Sequence, residues 1–318
     1  MNRRQFLQLS VAALPALGLV GCSKSQPLKT GIHPWIGYES LYLADEFGWL
    51  PQTVELVKGQ AASDSMTGLL AGELDAAALT LDEALRVFSS GVPLRVVAVT
   101  NVSVGADVLM AKPSITSLAG LRGRAVAAEL SGVSGVMLFA VLERAGLSTN
   151  QVSIVDLPVN RHMEAWQSGE IDASVCYEPV ASLLEQAGGT RLFDSSDVPD
   201  TIFDTLVVTE QAARRRSAAV KDLVLAHFRG KLHMVRSMHD AIYRVATRQG
   251  ISPDAVRRSL ATVMLPELAA NQRYLAQHGR IEVVARRLAE TLVSEGLMAE
   301  IPQYQRLCDS SFLPRSLT

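Results

Sequence analysis

A twelve-residue pattern recurs in this chain. Met66 begins M-T-G-L-L-A-G-E-L-D-A-A, and Met163 begins M-E-A-W-Q-S-G-E-I-D-A-S, 97 positions later. The two copies align Gly72 with Gly169, Asp75 with Asp172 and, further on, Gly91 with Gly188. Each copy follows a short apolar run, Val54 to Val57 and Ile154 to Leu157, and precedes another. In each, the spacing predicts a helix that ends at the glycine, where positive φ is often needed, and a strand that starts at the aspartate. A string repeated at the same place in the same order of elements implies two lobes of one plan.

The rest of the chain fits that plan. Strands are predicted at Thr30 to His33, Thr53 to Val57, Asp75 to Leu79 and Leu94 to Asn101. Helices are predicted at Glu39 to Phe47, Ala61 to Ala71 and Asp82 to Ser90. Alternation of this kind implies an α/β fold with parallel-rich sheets covered on both faces. The predicted lobes are residues 28–112 with 201–318, and residues 113–200. Thr205 to Thr209 reads as a strand returning to the first lobe, followed by a helical C-terminal tail with amphipathic runs over Ala218 to Gln249 and Ile281 to Glu295. Two crossings, near residues 112 and 200, form a double hinge about which the lobes can close.

The start of the chain reads as an export signal over residues 1–22. Arg3 and Arg4 precede an apolar stretch from Val11 to Val20, interrupted by Pro15. That stretch is half of what a bilayer span needs, and a basic head with a short apolar core is the secretory pattern. Arg3-Arg4-Gln5-Phe6-Leu7 resembles the twin-arginine signal. Leu19-Val20-Gly21-Cys22 resembles the bacterial lipobox, so Cys22 is expected to carry lipid and to anchor an exported protein at the periplasmic or cell surface. Cleavage there removes two arginines and no acid, leaving 28 basic and 32 acidic residues. With that balance and 5% aromatic residues, nucleic acid is not an expected partner. Cys176 and Cys308 remain; Cys176 is expected to be a buried free thiol.

Ligands of open α/β sheets bind outside the carboxyl ends of the strands, so the loops there hold the candidates. After the first strand come Trp35, Tyr38 and Glu39, two rings and a carboxylate that could hold a flat ligand and accept from an amine; the structural alternative is packing, with Glu39 at a helix start. Thr80 and Asp82 follow the third strand, with helix capping the alternative for Asp82. Tyr177 and Glu178 are their echo in the second lobe, and Pro179 suits a first helical turn. Ser103 and Asp107 lie between two strands as donor and acceptor. Glu129 and Ser131 begin a glycine-rich turn into a helix whose amides suit an anion. Asp204 sits at the second crossing, as ligand contact or hinge acceptor.

Several of these strings carry a family resemblance. W-I-G-Y-E, G-E-L-D-A-A-A-L-T-L-D-E-A-L, G-V-P-L-R-V-V-A-V, S-V-G-A-D, Y-E-P and L-F-D-S-S-D-V-P resemble the nitrate/sulfonate/taurine-type periplasmic binding proteins, a family that also includes binders of pyrimidine thiamine precursors. The resemblance covers residues 28–210. It implies the two-lobed periplasmic binding protein type II fold, a monomer that captures a small-molecule solute, an ABC permease and its ATPase as partners, and no cofactor. The chain departs from the anion binders in one respect. The cleft strings carry Glu39, Asp82, Asp107, Glu129, Glu178 and Asp204 without a lysine or arginine among them, whereas an anion wants a cation or several donors. The acids favour an amine-bearing, zwitterionic or pyrimidine-like ligand.

Catalysis is not expected. H-E-x-x-H, G-x-S-x-G and a Walker loop are absent, and His227, His233 and His239 fall six apart, which does not repeat on one helix face. No metal site is expected. A binding protein that reports to a membrane signalling protein is the second reading, and a cofactor-biosynthesis enzyme on the same fold is the third.

Overall fold

A computed structural model describes residues 26–303 and 306–317. The export signal and Cys22 lie outside the described residues. Eleven strands form two mixed sheets. β1 (Leu28–Ile32), β2 (Val54–Lys58), β3 (Ala76–Thr80), β4 (Leu94–Ser103), β10 (Phe203–Thr209) and β11 (Val263–Met264) form the first, in the order β11-β4-β10-β3-β1-β2. β5 (Val108–Ala111), β6 (Ala125–Ala128), β7 (Ser153–Asp156), β8 (Ala173–Cys176) and β9 (Thr190–Asp194) form the second, in the order β7-β6-β8-β5-β9.

The two orders are one order. β2-β1-β3-β10-β4 in the first lobe matches β7-β6-β8-β5-β9 in the second. The repeated aspartates explain part of this. Asp75 accepts from the Lys29 N–H of β1 through its side chain, at 3.0 Å, and from the Thr209 N–H of β10 through its carbonyl, at 2.9 Å. Asp172 repeats both bonds, with Ala125 N–H at 3.2 Å and Lys112 N–H at 2.9 Å. Each aspartate therefore fixes the end of three neighbouring strands. Gly72 and Gly169 both sit at positive φ, 71° and 80°, as the end of a helix requires.

The sheets are mixed rather than parallel-rich in their pairing, and the reason is the crossing strand. β10 enters the first sheet from the second lobe and runs antiparallel to β3 and β4. β5 enters the second sheet from the first lobe and runs antiparallel to β8 and β9. Because β5 pairs in the second sheet, the first crossing is Val104–Asp107 and not residue 112, and the second lobe begins at Val108. The return crossing lies between β9 and β10. The two crossings touch: Ser103 Oγ and Ser195 Oγ are 2.7 Å apart, and the Gly105 N–H donates to Ser195 Oγ at 2.7 Å. Gly105 turns there at φ 120°.

Helices α1 (Glu39–Glu46), α2 (Ala62–Leu70) and α3 (Leu81–Ser89) serve the first lobe, and α4 (Val133–Ala145), α5 (His162–Ser168) and α6 (Val180–Gln186) the second. The tail, α7 (Glu210–Arg215), α8 (Ser217–Arg236), α9 (Met238–Gln249), α10 (Pro253–Leu260), α11 (Leu268–Tyr274) and α12 (Arg280–Ser294), belongs to the first lobe. The run predicted over Ala218 to Gln249 breaks at Ser237 into α8 and α9. α8 lies close on α1 through Gly230, where a Cβ would meet the Ser40 carbonyl oxygen at 1.8 Å. Among the described residues no helix is long and apolar enough to cross a membrane.

Candidate functional site

The carboxyl ends of β1, β3 and β8 and the amino end of β10 meet where the lobes face each other. His33, Trp35, Tyr38, Thr80, Glu83, Asp107, Val133, Tyr177 and Asp204 surround a cavity of about 10 Å³, room for one water molecule. Lobes so placed must part before any solute enters.

The rings come from both sides. Trp35 and Tyr38 belong to the loop after β1, and Tyr177 to the loop after β8. Trp35 meets Tyr177 edge-on, with ring centroids 5.2 Å apart at 80°, and His33 meets Tyr38 at 5.2 Å and 89°. The acids are buried among them. The Tyr38 hydroxyl donates to Asp204 Oδ1 at 2.6 Å, and Asp204 Oδ2 has no partner. Asp107 Oδ2 and His33 Nδ1 are likewise buried without partners. Burial pushes Asp107 up to about 7, against its bond with Ser103. Burial also pushes Asp204 well above the usual carboxylate range; the Tyr38 bond opposes this and the charges of Asp107 and Asp82 add to it. Burial lowers His33 to about 4, so its ring is neutral at pH 7.

Thr80 and Asp82 hold each other, Thr80 Oγ1 donating to Asp82 Oδ1 at 2.7 Å, and Asp82 lies 3.5 Å from the Arg86 guanidinium. Thr80 lines the cavity and Asp82 stands behind it. Glu83 was not among the residues singled out from the sequence. One oxygen accepts from the Thr80 N–H at 2.9 Å, and the other crosses to the second lobe to accept from the Val133 N–H at 3.3 Å. The amides at the start of α4, expected to suit a ligand anion, thus receive a carboxylate of the protein itself. Arg86 crosses beside it, donating to the Leu130 carbonyl at 2.7 Å and the Gly132 carbonyl at 3.4 Å.

Five candidates serve other ends. Glu39 is buried, but Arg248 and Gln249 of α9 hold its carboxylate; its bonds from Arg248 Nε and Gln249 Nε2 measure 3.0 and 2.6 Å. Glu178 turns back on its own helix, accepting from Ser182 N and Oγ, both at 3.1 Å. Ser103 belongs to the hinge through Ser195. Ser131 is exposed and is not part of the cavity wall. Glu129 joins the lobes instead of lining the cavity, accepting from the Ser63 and Val159 amides, each at 3.4 Å. Glu178→Gln is therefore expected to cost about 1 kcal/mol of fold stability, as loss of a capping interaction does, and to leave solute affinity unchanged. Chemical denaturation and calorimetry on that variant check both halves.

His33 could have been found from its place, directly after β1. Glu83 could have been found as the partner three residues beyond Thr80, although that pattern alone points to a cap and says nothing of a bond to the other lobe. Among the described residues no cluster of His, Cys, Asp and Glu could hold a metal ion.

The comparisons with known proteins agree with this architecture. The model of the NMT1-like family matches residues 21–247. The taurine-binding periplasmic protein of Escherichia coli is 26% identical over 172 residues, so the match spans 53% of each protein. The periplasmic aliphatic sulphonate binding protein of Escherichia coli has a TM-score of 0.72 at 18% identity, covering 89% of this chain and 93% of that one. The desulfurization enzyme DszB has a TM-score of 0.67 at 17% identity, covering 91% and 98%. The chain belongs to the NMT1-like family and carries the two-lobed α/β fold of the nitrate/sulfonate/taurine-type periplasmic binding proteins.

Proposed function

We propose that the chain is the solute-binding lipoprotein of an ABC importer. It captures a small polar solute between its lobes and presents the closed form to a membrane permease driven by its ATPase. The observation that carries this is the interlobe cavity, lined by rings from both lobes and by buried acceptor atoms without partners. Such atoms cost free energy until a ligand satisfies them, so closure and recognition become one event. The same acceptors favour a solute rich in N–H donors, amine-bearing, zwitterionic or pyrimidine-like, over a bare sulfonate. The export signal, Cys22 anchor and monomeric state complete the reading. A palmitate analogue is expected to label the wild-type protein and not Cys22→Ala.

The likeness to a desulfurization enzyme shows that the fold can host chemistry. Here burial pushes both described thiols, Cys176 and Cys308, up to about 12, away from the thiolate a cysteine nucleophile needs. We therefore read the chain as a binder and not an enzyme. Thermal-shift screening of amines, pyrimidines, sulfonates and nitrate tests it. A ligand at 100 times its dissociation constant stabilises by about 2.7 kcal/mol. At least one donor-bearing solute should give that shift; silence across all four classes would contradict the reading.

A further inference from the structure

The cavity wall holds three acids and no lysine or arginine. Asp204 comes from β10, Glu83 from α3 and Asp107 from the first crossing; Asp82 stands behind the wall, and Glu129 and Glu178, on the loops after β6 and β8, are held by the Ser63 and Val159 amides and by Ser182. Tyr38, Tyr177 and the neutral His33 face them, and Cys176 lies behind Asp107. Asp64 acts on His33 and Asp156 on Glu129 from further out. The cations nearby are committed: Arg86 to the Leu130 and Gly132 carbonyls and to Asp82, Arg191 to the Gly105 carbonyl. Asp107 and Asp204 each keep a buried Oδ2 without a partner, and His33 Nδ1 is buried without one too; Asp82 Oδ2 has only the Arg86 guanidinium, at 3.5 Å.

We propose that the site takes an organic cation, a protonated amine, amidine or N-alkylated ring, between Asp107 and Asp204, and expels a proton from the carboxyl cluster as it does so. The proposal rests on the solute-binding reading above. Carboxylates closed together in a dry cleft cannot all ionise, so they share protons and titrate as a set. A cation replaces such a proton: the carboxylic acid and the free cation give the carboxylate–cation pair and one proton released to water. The ring faces of Trp35, Tyr38 and Tyr177 favour the same charge. An anion would meet the opposite: repulsion from the cluster, and as unpartnered donors in the wall only the Trp35 indole N–H and, in one tautomer, His33 Nδ1.

The sign of the pH dependence follows. Asp107 titrates at about 7 in the closed site, and cation binding favours its ionised form. Affinity should rise with pH and fall below about pH 7, by up to tenfold per unit for each proton released. The closed form without ligand holds protons more tightly than the open form, so low pH should close the ligand-free protein and high pH should open it.

Calorimetry with matched probes tests this: benzamidinium against benzamide, choline against its neutral tert-butyl isostere, with ethanesulfonate and nitrate as anions. Each runs at pH 6 and pH 8, in buffers of low and high ionisation enthalpy. At least one cation should bind at least tenfold more tightly than its neutral partner, with a buffer-dependent heat that shows proton release at pH 6 and shrinks at pH 8. Asp204→Asn and Asp107→Asn, which keep shape, should each lower that affinity tenfold or more and shrink the buffer dependence. A neutral partner binding as tightly, or cation binding at pH 6 with no proton release, overturns the proposal. Preference for ethanesulfonate or nitrate overturns it while leaving a solute-binding protein. No response from any probe removes the solute-binding reading and the proposal together. Scattering from the ligand-free protein gives a check that needs no ligand: a radius of gyration that does not fall from pH 8 to pH 5 contradicts the shared protons.

Discussion

Arg248→Met is expected to lower fold stability by about 3 kcal/mol and to leave solute affinity intact. The reason is Glu39, whose carboxylate is 1% exposed while Arg248 is 25% exposed. Burial raises the Glu39 carboxyl above its usual range even with Arg248 and Gln249 beside it, so the pair is not a net source of stability. Removing one partner is another matter, because it strands a buried carboxylate; such losses run to about 3–5 kcal/mol. The low end applies because Arg248 is partly wet and Glu39 can take a proton. Glu39→Gln in the Arg248→Met background should recover most of the loss. Urea denaturation of the single and double variants measures it. An unchanged midpoint with weakened binding would return Glu39 to the ligand site.

Arg86→Ala is expected to weaken solute binding by roughly 10–100-fold, the equivalent of about 1.5–3 kcal/mol for hydrogen bonds to a charged group. Arg86 sits on α3 and bonds carbonyls of the other lobe. Those bonds exist only when the lobes meet, so their loss taxes the closed state and not the fold. The defect should appear as faster dissociation, since interface losses are mostly changes in the off-rate. Ligand-free melting should fall only modestly, through loss of the Asp82 pair within the same lobe. Stopped-flow displacement and thermal melts separate the two. A large fall in the ligand-free melting temperature with unchanged dissociation would make Arg86 a structural residue of its own lobe.

Local signals carried the lobes and most of the cleft. The repeated aspartates were legible because both start a strand at the same place in the same unit, and the structure gives them the same two bonds. Trp35, Tyr38, Thr80, Asp107, Tyr177 and Asp204 were legible because the ends of α/β strands are where ligands sit, whatever the ligand. Glu39 was not, since the arginine that neutralises it lies 209 residues away. The first crossing was placed too late for a related reason. Val108–Ala111 is apolar whichever sheet it joins, and only its pairing with β8 and β9 shows that the chain has already left the first lobe. Glu83, not singled out from the sequence, has the spacing of a cap and is one. Its second bond, to Val133, depends on how the lobes close, which no local pattern encodes.

Solution scattering, with and without a saturating solute, bears most directly on the clamp. The closed arrangement described above leaves about 10 Å³ inside the cleft, so the protein must open to load. Ligand-free protein at pH 8 should give a larger radius of gyration than the closed structure. Saturation with any solute that shifts the melting temperature should bring the curve to that of the closed form. A solute that stabilises the protein and leaves the scattering unchanged would contradict closure about the double crossing, and with it the account of how this chain holds its ligand.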